Sequence, residues 1–174
     1  LGEHQLYNIS TSIAASRKIF KVKDDCIKKG IQNIKLKGRL HEIKSGKLKD
    51  LAKNNKLIID GGHNISASLS ISNWIKQQSQ DVNLIIGMMK DKDHYEFVKI
   101  FEGIVKSITL INIPNNEGAI LKEQLKEKLI NIKTSISLSN SIEESISSIS
   151  SNNNNNIILC LGSLYLCGEI LKLN

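Results

Sequence analysis

LIIDGGHN, residues 57–64, joins a short apolar run to an acid, two glycines and a His-Asn pair. The three apolar residues are typical of a strand buried on both faces, and Asp60 falls where that strand leaves the sheet. In open α/β sheets ligands bind beyond the carboxyl ends of the strands, and Gly61 and Gly62 let the backbone turn sharply there. The stretch therefore indicates a binding site. A plain turn, with Asn64 as the N-cap of the next helix, accounts for the same residues.

From residue 57 onward the chain alternates apolar runs of strand length with segments of helical spacing. Predicted strands cover 57–60, 82–87, 107–113, 134–139 and 156–162, and predicted helices cover 64–78, 97–105, 119–130, 142–149 and 163–173. The Ser/Asn tract at 147–156 is predicted to be a surface loop. Repeated strand-helix units of this length predict a doubly wound, mostly parallel α/β sheet.

The first 56 residues do not share this alternation. Apolar residues at helical spacing predict one helix over residues 1–22 and a second that ends at about Ile34. A polar, irregular connector follows, with one short strand at 40–43. Because the first residue already lies in an amphipathic helix, we expect the chain to continue something upstream. The predicted divisions are terminal helices at 1–34, a linker at 35–56 and an α/β domain at 57–174.

Composition limits the classes of protein to which the chain can belong. The 174 residues are 40% hydrophobic, enough for the core of one domain, and carry a formal net charge of +7. Lys is spread along the chain and the few aromatic residues stand singly, so a nucleic-acid platform is not expected. No apolar run matches a membrane span and no signal-peptide pattern opens the chain, which predicts a cytoplasmic protein. Cys26, Cys160 and Cys167 form no CxxC pair, so we expect buried thiols.

Two further loops follow predicted strands, as DGGHN does. They are GMMKDKD at 87–93 and GSLYLCGE at 162–169. Because parallel strands end at one edge of a sheet, we expect the three loops to converge. Lys92 offers a cation, and Ser163 at a helix start offers a hydroxyl and backbone N–H groups. Taken singly, Ser163 reads as an N-cap and Lys92 as part of a solvated charged turn; convergence favours a site.

These stretches carry a family resemblance. GEHQLYN, residues 2–8, resembles the GxHQxxN segment that ends the central ATPase domain of the Mur ligase superfamily, and Gly38-Arg39 resembles the glycine-arginine of its linker. The three loops resemble successive signatures of the C-terminal domain of folylpolyglutamate synthase, often bifunctional with dihydrofolate synthase. The resemblance implies a Rossmann-like C-terminal glutamate-ligase domain, with residues 1–34 as the last helices of the ATPase domain.

The resemblance also implies a reaction. ATP phosphorylates a carboxylate of folate or dihydropteroate, and the amine of L-glutamate attacks the acyl phosphate. No residue is assigned as a general base and none as a metal ligand, because members act by positioning and charge. His41 and His94 are expected at the surface. The implied roles are ATP binding by Arg39, Asp60, His63 and Asn64, glutamate binding by Lys92 and Ser163, and an interdomain edge near ATP formed by His4, Gln5 and Asn8.

Some residues depart from the family pattern. Leu36 and Lys37 stand where an aromatic residue and a proline are usual, and Gly62 and Ile65 stand where Ala and Pro are common. No GxxxxGK[ST] loop is present, so an upstream ATPase domain is expected to hold the phosphates and most of the Mg²⁺ contacts. The chain alone is then expected to be inactive. Another Mur-type amino-acid ligase, and a non-catalytic α/β binding module or gene remnant, remain as alternatives.

Overall fold

The chain divides into two compact units, Leu1–Lys37 and Gly38–Asn174. The computed structural model describes residues 3–34, 36–152 and 154–174, and for residues 3–5 the backbone alone. The first unit contains two helices, α1 (Glu3–Ile19) and α2 (Asp24–Gln32). Arg17 forms an ion pair with Asp24 at the start of α2. The apolar residues of both helices line an open groove of about 420 Å³.

The second unit carries the sheet. Its strands are β1 (His41–Ile43), β2 (Lys56–Ile59), β3 (Val82–Ile86), β4 (Ser107–Leu110), β5 (Ile136–Leu138) and β6 (Ile157–Leu161). Its helices are α3 (Lys47–Ala52), α4 (Ile65–Lys76), α5 (His94–Lys99), α6 (Lys122–Lys128), α7 (Ile142–Asn152) and α8 (Leu164–Leu173).

The sheet has the strand order β1-β2-β6-β3-β4-β5. β1 is antiparallel to β2, and all other pairs are parallel. The predicted doubly wound, mostly parallel α/β fold is therefore confirmed. Since β6 inserts between β2 and β3, the chain reverses its direction of winding there. The carboxyl ends of these three strands stand side by side, where such sheets bind ligands.

Helices cover both faces of the sheet. One core packs α4, α5 and α6 against residues such as Leu84, Ile86 and Leu159. The other packs α3, α7 and α8 against the opposite face through residues such as Ile59 and Cys160. β3 and β6 are buried along their whole length, because each lies inside the sheet and under both helical layers.

The structure corrects the sequence-based assignment in several places. The linker was predicted at 35–56, with one short strand, but residues 38–56 lie in the second unit, where they form β1 and also the helix α3. The Ser/Asn tract does not begin as a loop, because α7 continues to Asn152 with Ile146 and Ile149 buried. β4 and α6 are shorter than predicted, which leaves residues 111–121 as a long connection.

No helix within residues 3–34, 36–152 and 154–174 combines the length and the apolar character that crossing a bilayer requires.

Candidate functional site

The three loops predicted to converge follow the adjacent strands β2, β6 and β3. Backbone hydrogen bonds continue past the strand ends: Gly162 N–H donates to Gly62 O over 3.0 Å, and Gly87 N–H donates to Leu161 O over 3.3 Å. Gly162 has φ +108°, and a Cβ there would lie 2.7 Å from Gly87 O. Only glycine meets both demands, so it allows the loops after β6 and β3 to lie in contact.

Asp60 is the first residue after β2 and is buried, with 5% of its surface exposed. Its Oδ2 accepts a hydrogen bond from Leu40 N–H (2.8 Å) and its Oδ1 accepts one from Gly62 N–H (2.7 Å). Gly61 N–H in turn donates to Gly38 O (2.8 Å). The Asp60 carboxylate thus fixes the turn at Gly61-Gly62 and holds the Gly38-Arg39 segment against that turn, because charge-assisted hydrogen bonds are strong.

Arg39 is half-buried beside this turn. Its Nη1 lies 3.3 Å from Gly38 O, and a Cβ on Gly61 would stand 2.9 Å from that nitrogen and collide with Leu164. Because Gly61 has no side chain, the Arg39 guanidinium can occupy the space beside it. A fixed cation and a buried carboxylate are brought to the same edge of the sheet.

Cys167 lies beneath this pair and is not a nucleophile. Burial, reinforced by the negative charge of Asp60 and opposed by Arg39, raises the pKa of the Cys167 thiol to about 12. Burial likewise raises the pKa of Cys160. Because the thiolate is the reactive form, both groups are inert at neutral pH. The prediction of buried thiols is confirmed for these two and is wrong for Cys26, which is exposed on α2.

His63 and Asn64 complete the turn after β2. His63 is half-buried, with Nδ1 at 2.9 Å from Gly61 O. Asn64 is the N-cap of α4 and accepts a hydrogen bond from Ala67 N–H (2.9 Å). The hydrogen bond from Lys92 is the main cause that lowers the pKa of Asp91. His63 lies near enough to Asp91, on the loop after β3, to contribute to that lowering.

Lys92 and Ser163 lie on the other two loops. Lys92 Nζ is 2.8 Å from Asp91 Oδ2, and the side chain of Lys92 is 27% exposed. Ser163 is buried as the N-cap of α8 and accepts from Tyr165 N–H (3.1 Å), which leaves its own hydroxyl proton available for donation. The structure thus brings six of the nine predicted site residues to one edge: Arg39, Asp60, His63, Asn64, Lys92 and Ser163.

The other three predicted residues belong to the first unit. His4 and Gln5 lie on α1, and the structure describes only the backbone of these two residues. Asn8 is exposed on α1. Their role at an interdomain edge stays a prediction.

The expectation of a surface His94 is wrong. His94 starts α5, is only 3% exposed, and its Nε2 lies 2.9 Å from Met89 O. Its position directly after a charged turn suggested solvent, but the ring turns inward under the loop. His41 is half-buried rather than fully exposed, with a buried Nδ1.

Sequence reasoning missed a pairing of two loops at this edge, residues 88–90 with residues 118–120, which we call the brace. Ile120 N–H donates to Met88 O (3.0 Å) and Lys90 N–H donates to Gly118 O (2.9 Å), so the connection after β4 pairs with the loop after β3. Buried Lys122 ties the ends of β4 and β5, through Asn112, Ser139 and Asn140. No periodic pattern marks these contacts in the sequence, because they join irregular segments.

Within ranges 3–34, 36–152 and 154–174, no three His, Cys, Asp or Glu side chains are grouped so that they could hold a metal ion. The hydrogen-bond donors at this edge are a guanidinium, an ammonium, a hydroxyl and backbone N–H groups, which are suited to an anionic ligand.

Fold and edge together define a class: a doubly wound α/β domain with cationic side chains at the carboxyl ends of its strands. Residues 44–173 match the family described as dihydrofolate synthetase, C-terminal domain. The match covers most of the chain, and the chain belongs to this family.

Curated relatives agree with this family. The chain is 26% identical over 181 residues to a dihydrofolate synthase/folylpolyglutamate synthase of Haemophilus influenzae, covering 94% of this chain and 41% of that protein. It is 20% identical over 190 residues to a dihydrofolate synthetase of Saccharomyces cerevisiae, covering 99% of this chain and 44% of that protein. The chain therefore spans less than half the length of these relatives.

Solved structures share the fold. Mycobacterium tuberculosis folylpolyglutamate synthase, solved with ADP and AMPPCP, aligns with TM-score 0.82 at 16% identity over 99% of this chain and 40% of that chain. E. coli FolC, solved with DHPP and ADP, aligns with TM-score 0.74 at 20% identity over 95% of this chain and 38% of that chain. At these identities the likeness establishes architecture.

Proposed function

We propose that this chain supplies the C-terminal part of a cytoplasmic, ATP-dependent ligase that adds L-glutamate to a carboxylate of folate or dihydropteroate. The observation that carries the proposal is the meeting of three loops after β2, β6 and β3. That edge presents separate cationic groups, which suits two anionic substrates bound side by side. Family membership supports the reaction type, because the relatives are named for dihydrofolate and folylpolyglutamate synthesis.

The proposed reaction has two steps. A carboxylate oxygen of the folate substrate attacks the γ-phosphorus of ATP, and the bond to ADP breaks. The amine nitrogen of glutamate then attacks the carbonyl carbon of the acyl phosphate, the carbon–oxygen bond to phosphate breaks, and the nitrogen loses a proton. Both steps depend chiefly on placing the reactants and stabilising charge, so binding groups matter more than a general base.

At the ATP end we assign Asp60, Arg39, His63 and Asn64. Each carboxylate oxygen has a second lone pair, so Asp60 can accept a hydrogen bond from a ribose hydroxyl while keeping its hydrogen bonds from Leu40 N–H and Gly62 N–H. The guanidinium of Arg39 is a planar fork suited to phosphate oxygens. His63 and Asn64 would form the rim beside the nucleotide.

At the glutamate end we assign Lys92 and Ser163. The ammonium of Lys92 is already bound to a carboxylate, that of Asp91, and a substrate carboxylate would take its place. Ser163 would donate its hydroxyl proton to a carboxylate oxygen, next to the backbone N–H groups that begin α8. Such donors gain strength once substrate binding excludes water.

The phosphate-binding loop and the Mg²⁺ ligands are assigned to an ATPase domain outside this sequence. This sequence has no GxxxxGK[ST], and its described residues contain no group of three or more metal-ligating side chains. We propose that the first unit, with His4, Gln5 and Asn8, belongs to that domain's surface near ATP. Its apolar groove, lined among others by Ile9, Ile13 and Ile27, would then be covered.

The test measures phosphate release from ATP that requires both a folate and glutamate. We expect none from the purified chain alone and turnover when the ATPase domain is added, because phosphoryl transfer needs its P-loop and metal. Replacing glutamate by other amino acids is the control. Robust folate-dependent turnover by the chain alone would refute its status as a partial enzyme, and turnover with a different amino acid would favour another Mur-type ligase.

A further inference from the structure

His94 has no place in the substrate contacts assigned above, yet it is buried directly beneath the loop that carries Lys92. Its Nε2 lies 2.9 Å from Met89 O and the residue is 3% exposed. A carbonyl oxygen only accepts hydrogen bonds, so Nε2 must carry the proton. The imidazole therefore ties the start of α5 back to the middle of the loop after β3.

A second tie holds the same loop from the other side. Residues 88–90 pair with residues 118–120 through Ile120 N–H to Met88 O (3.0 Å), Lys90 N–H to Gly118 O (2.9 Å) and a bridge between Met89 and Ala119. Lys90 Nζ also donates to Glu117 O (2.6 Å). Met89 is thus fixed by the brace on one side and by His94 on the other.

Lys92 lies between these fixed points. The brace ends at Lys90, and Asp93 caps α5 by accepting from Glu96 N–H at 3.4 Å, a weak bond. The turn itself is exposed at Asp91 and Asp93. Besides the tie from His94, this turn is held at its end by that weak cap and by Phe97 N–H, which donates to Asp93 O (3.1 Å), while the Asp91–Lys92 ion pair lies within the turn itself.

We propose that His94 is a positioning residue that holds the Lys92 ammonium where a substrate carboxylate binds. The inference rests on the proposed function, since it takes Lys92 as the group that meets glutamate. It extends that function by making the carboxylate-binding loop preformed: its backbone conformation is set by buried contacts before substrate arrives. Preformed sites bind more tightly because less order is lost on binding.

The experiment compares His94→Leu, which removes the donor, with His94→Gln, whose amide N–H reaches about as far as Nε2. His94→Asn, whose amide is shorter, replaces the leucine variant if that one does not fold. Each is assayed in the enzyme assembled with its ATPase domain. We expect His94→Leu to raise the KM for glutamate by about tenfold or more and to change the KM for ATP by less than about twofold, with His94→Gln close to wild type.

A second measurement reports the tie itself. Amide hydrogen exchange of Lys90 and Ile120 in the chain alone should become faster in His94→Leu and stay near wild type in His94→Gln, while Asp60 N–H, bonded to Cys160 O, should not change. Equal loss of glutamate and ATP use, with a general rise in exchange, would show a merely structural role and overturn the inference.

Lys92→Ala separates the two proposals. If Lys92→Ala raises the KM for glutamate and His94→Leu leaves it unchanged, the positioning role of His94 is refuted and the glutamate site stands. If Lys92→Ala leaves the KM for glutamate unchanged, the proposed glutamate site is refuted, and so is the role of His94 in it, whatever the exchange data show for the tie.

Discussion

Single side chains at this edge have structural roles as well as the binding roles that we propose for them. Asp60 was expected to contact a nucleotide, and the structure shows that both of its carboxylate oxygens already accept backbone N–H bonds. Ser163 and Asn64 are N-caps, as the simpler interpretation predicted. A cap and a ligand contact are compatible, because a hydroxyl or amide has more than one hydrogen-bonding position.

Variants at the two ends of the proposed site should impair the use of different substrates. Lys92→Ala should weaken glutamate use far more than ATP use, by on the order of 2–4 kcal/mol, because it removes a charge pair in a closed site. Asp60→Asn should do the reverse. It keeps one acceptor but places an NH₂ against a backbone N–H, which disturbs the turn that holds Arg39. Steady-state kinetics with each substrate varied in turn, in the assembled enzyme, measures both effects.

The control for these variants is Lys76→Ala, which changes an exposed lysine on α4 outside the proposed site and should leave the KM values for glutamate and ATP unchanged. If Lys92→Ala and Asp60→Asn affect both substrates equally, the two loops do not serve different ligands.

The sequence could predict which residues of the loops that follow strands come together. It could not predict contacts between irregular segments. Asp60, Lys92 and Ser163 follow strands with clear apolar runs, so the rule that parallel strands end at one edge was enough to group them. His94 and the brace at 118–120 depend on how two loops pair, which no local pattern encodes. Burial of His94 is a tertiary property, invisible in a sequence where charged residues surround it.

At the scale of elements, short helices depend on contacts from distant residues. α3 has six residues and no side-chain cap of its own, since Gly46 precedes it. Asn174 supplies the cap: its Oδ1 accepts from Leu48 N–H (3.1 Å) and Lys49 N–H (3.3 Å), and its Nδ2 donates to Ser45 O (2.7 Å). Propensity did not predict α3, because a helix this short is stabilised by such contacts and by its buried Leu48.

Removing this cap should cost stability. We expect Asn174→Ala to lower the free energy of unfolding by about 1 kcal/mol, the usual value of an N-cap. Gly46→Ala should cost more, because Gly46 has φ +105° and a Cβ there would collide with Asn174. Urea unfolding followed by circular dichroism measures both.

Asn73→Ala, at an exposed position of α4, is the matched control and should change stability by less than about 0.5 kcal/mol. An Asn174→Ala protein as stable as wild type would mean that the cap contributes nothing to α3.

Burial and packing of the elements explain which of them were predicted correctly from the sequence. The strands buried on both faces, β3 and β6, were predicted almost to the residue because continuous apolar runs leave little choice. α7 was predicted too short, since Ser and Asn suggest loops. In the structure small buried side chains such as Ser145 and Ser150 let α7 pack closely on the sheet, so tertiary packing outweighs propensity.

At the scale of the whole molecule, the boundary between units was the hardest feature to predict. A polar connector with few apolar residues looks like a linker, yet the structural division falls after Lys37. β1 lies at the edge of the sheet beside β2, and α3 lies over one face, so each needs only one apolar side. Half-buried elements of this kind carry too weak a hydrophobic pattern to stand out.

Truncation tests that boundary. Residues 38–174 alone should fold cooperatively, because both cores of the sheet lie within them. Residues 57–174 should not, since the shorter chain loses Ile43, Leu48 and Ala52 from one core and leaves the edge of β2 unpaired. Each large apolar side chain lost from a core costs about 2–5 kcal/mol, and a whole domain is stable by only about 5–15 kcal/mol. Urea unfolding and amide hydrogen exchange of both fragments, against the full chain, measure the difference. If residues 57–174 unfold at the same urea concentration as residues 38–174, the domain begins at residue 57 and residues 38–56 are a linker after all.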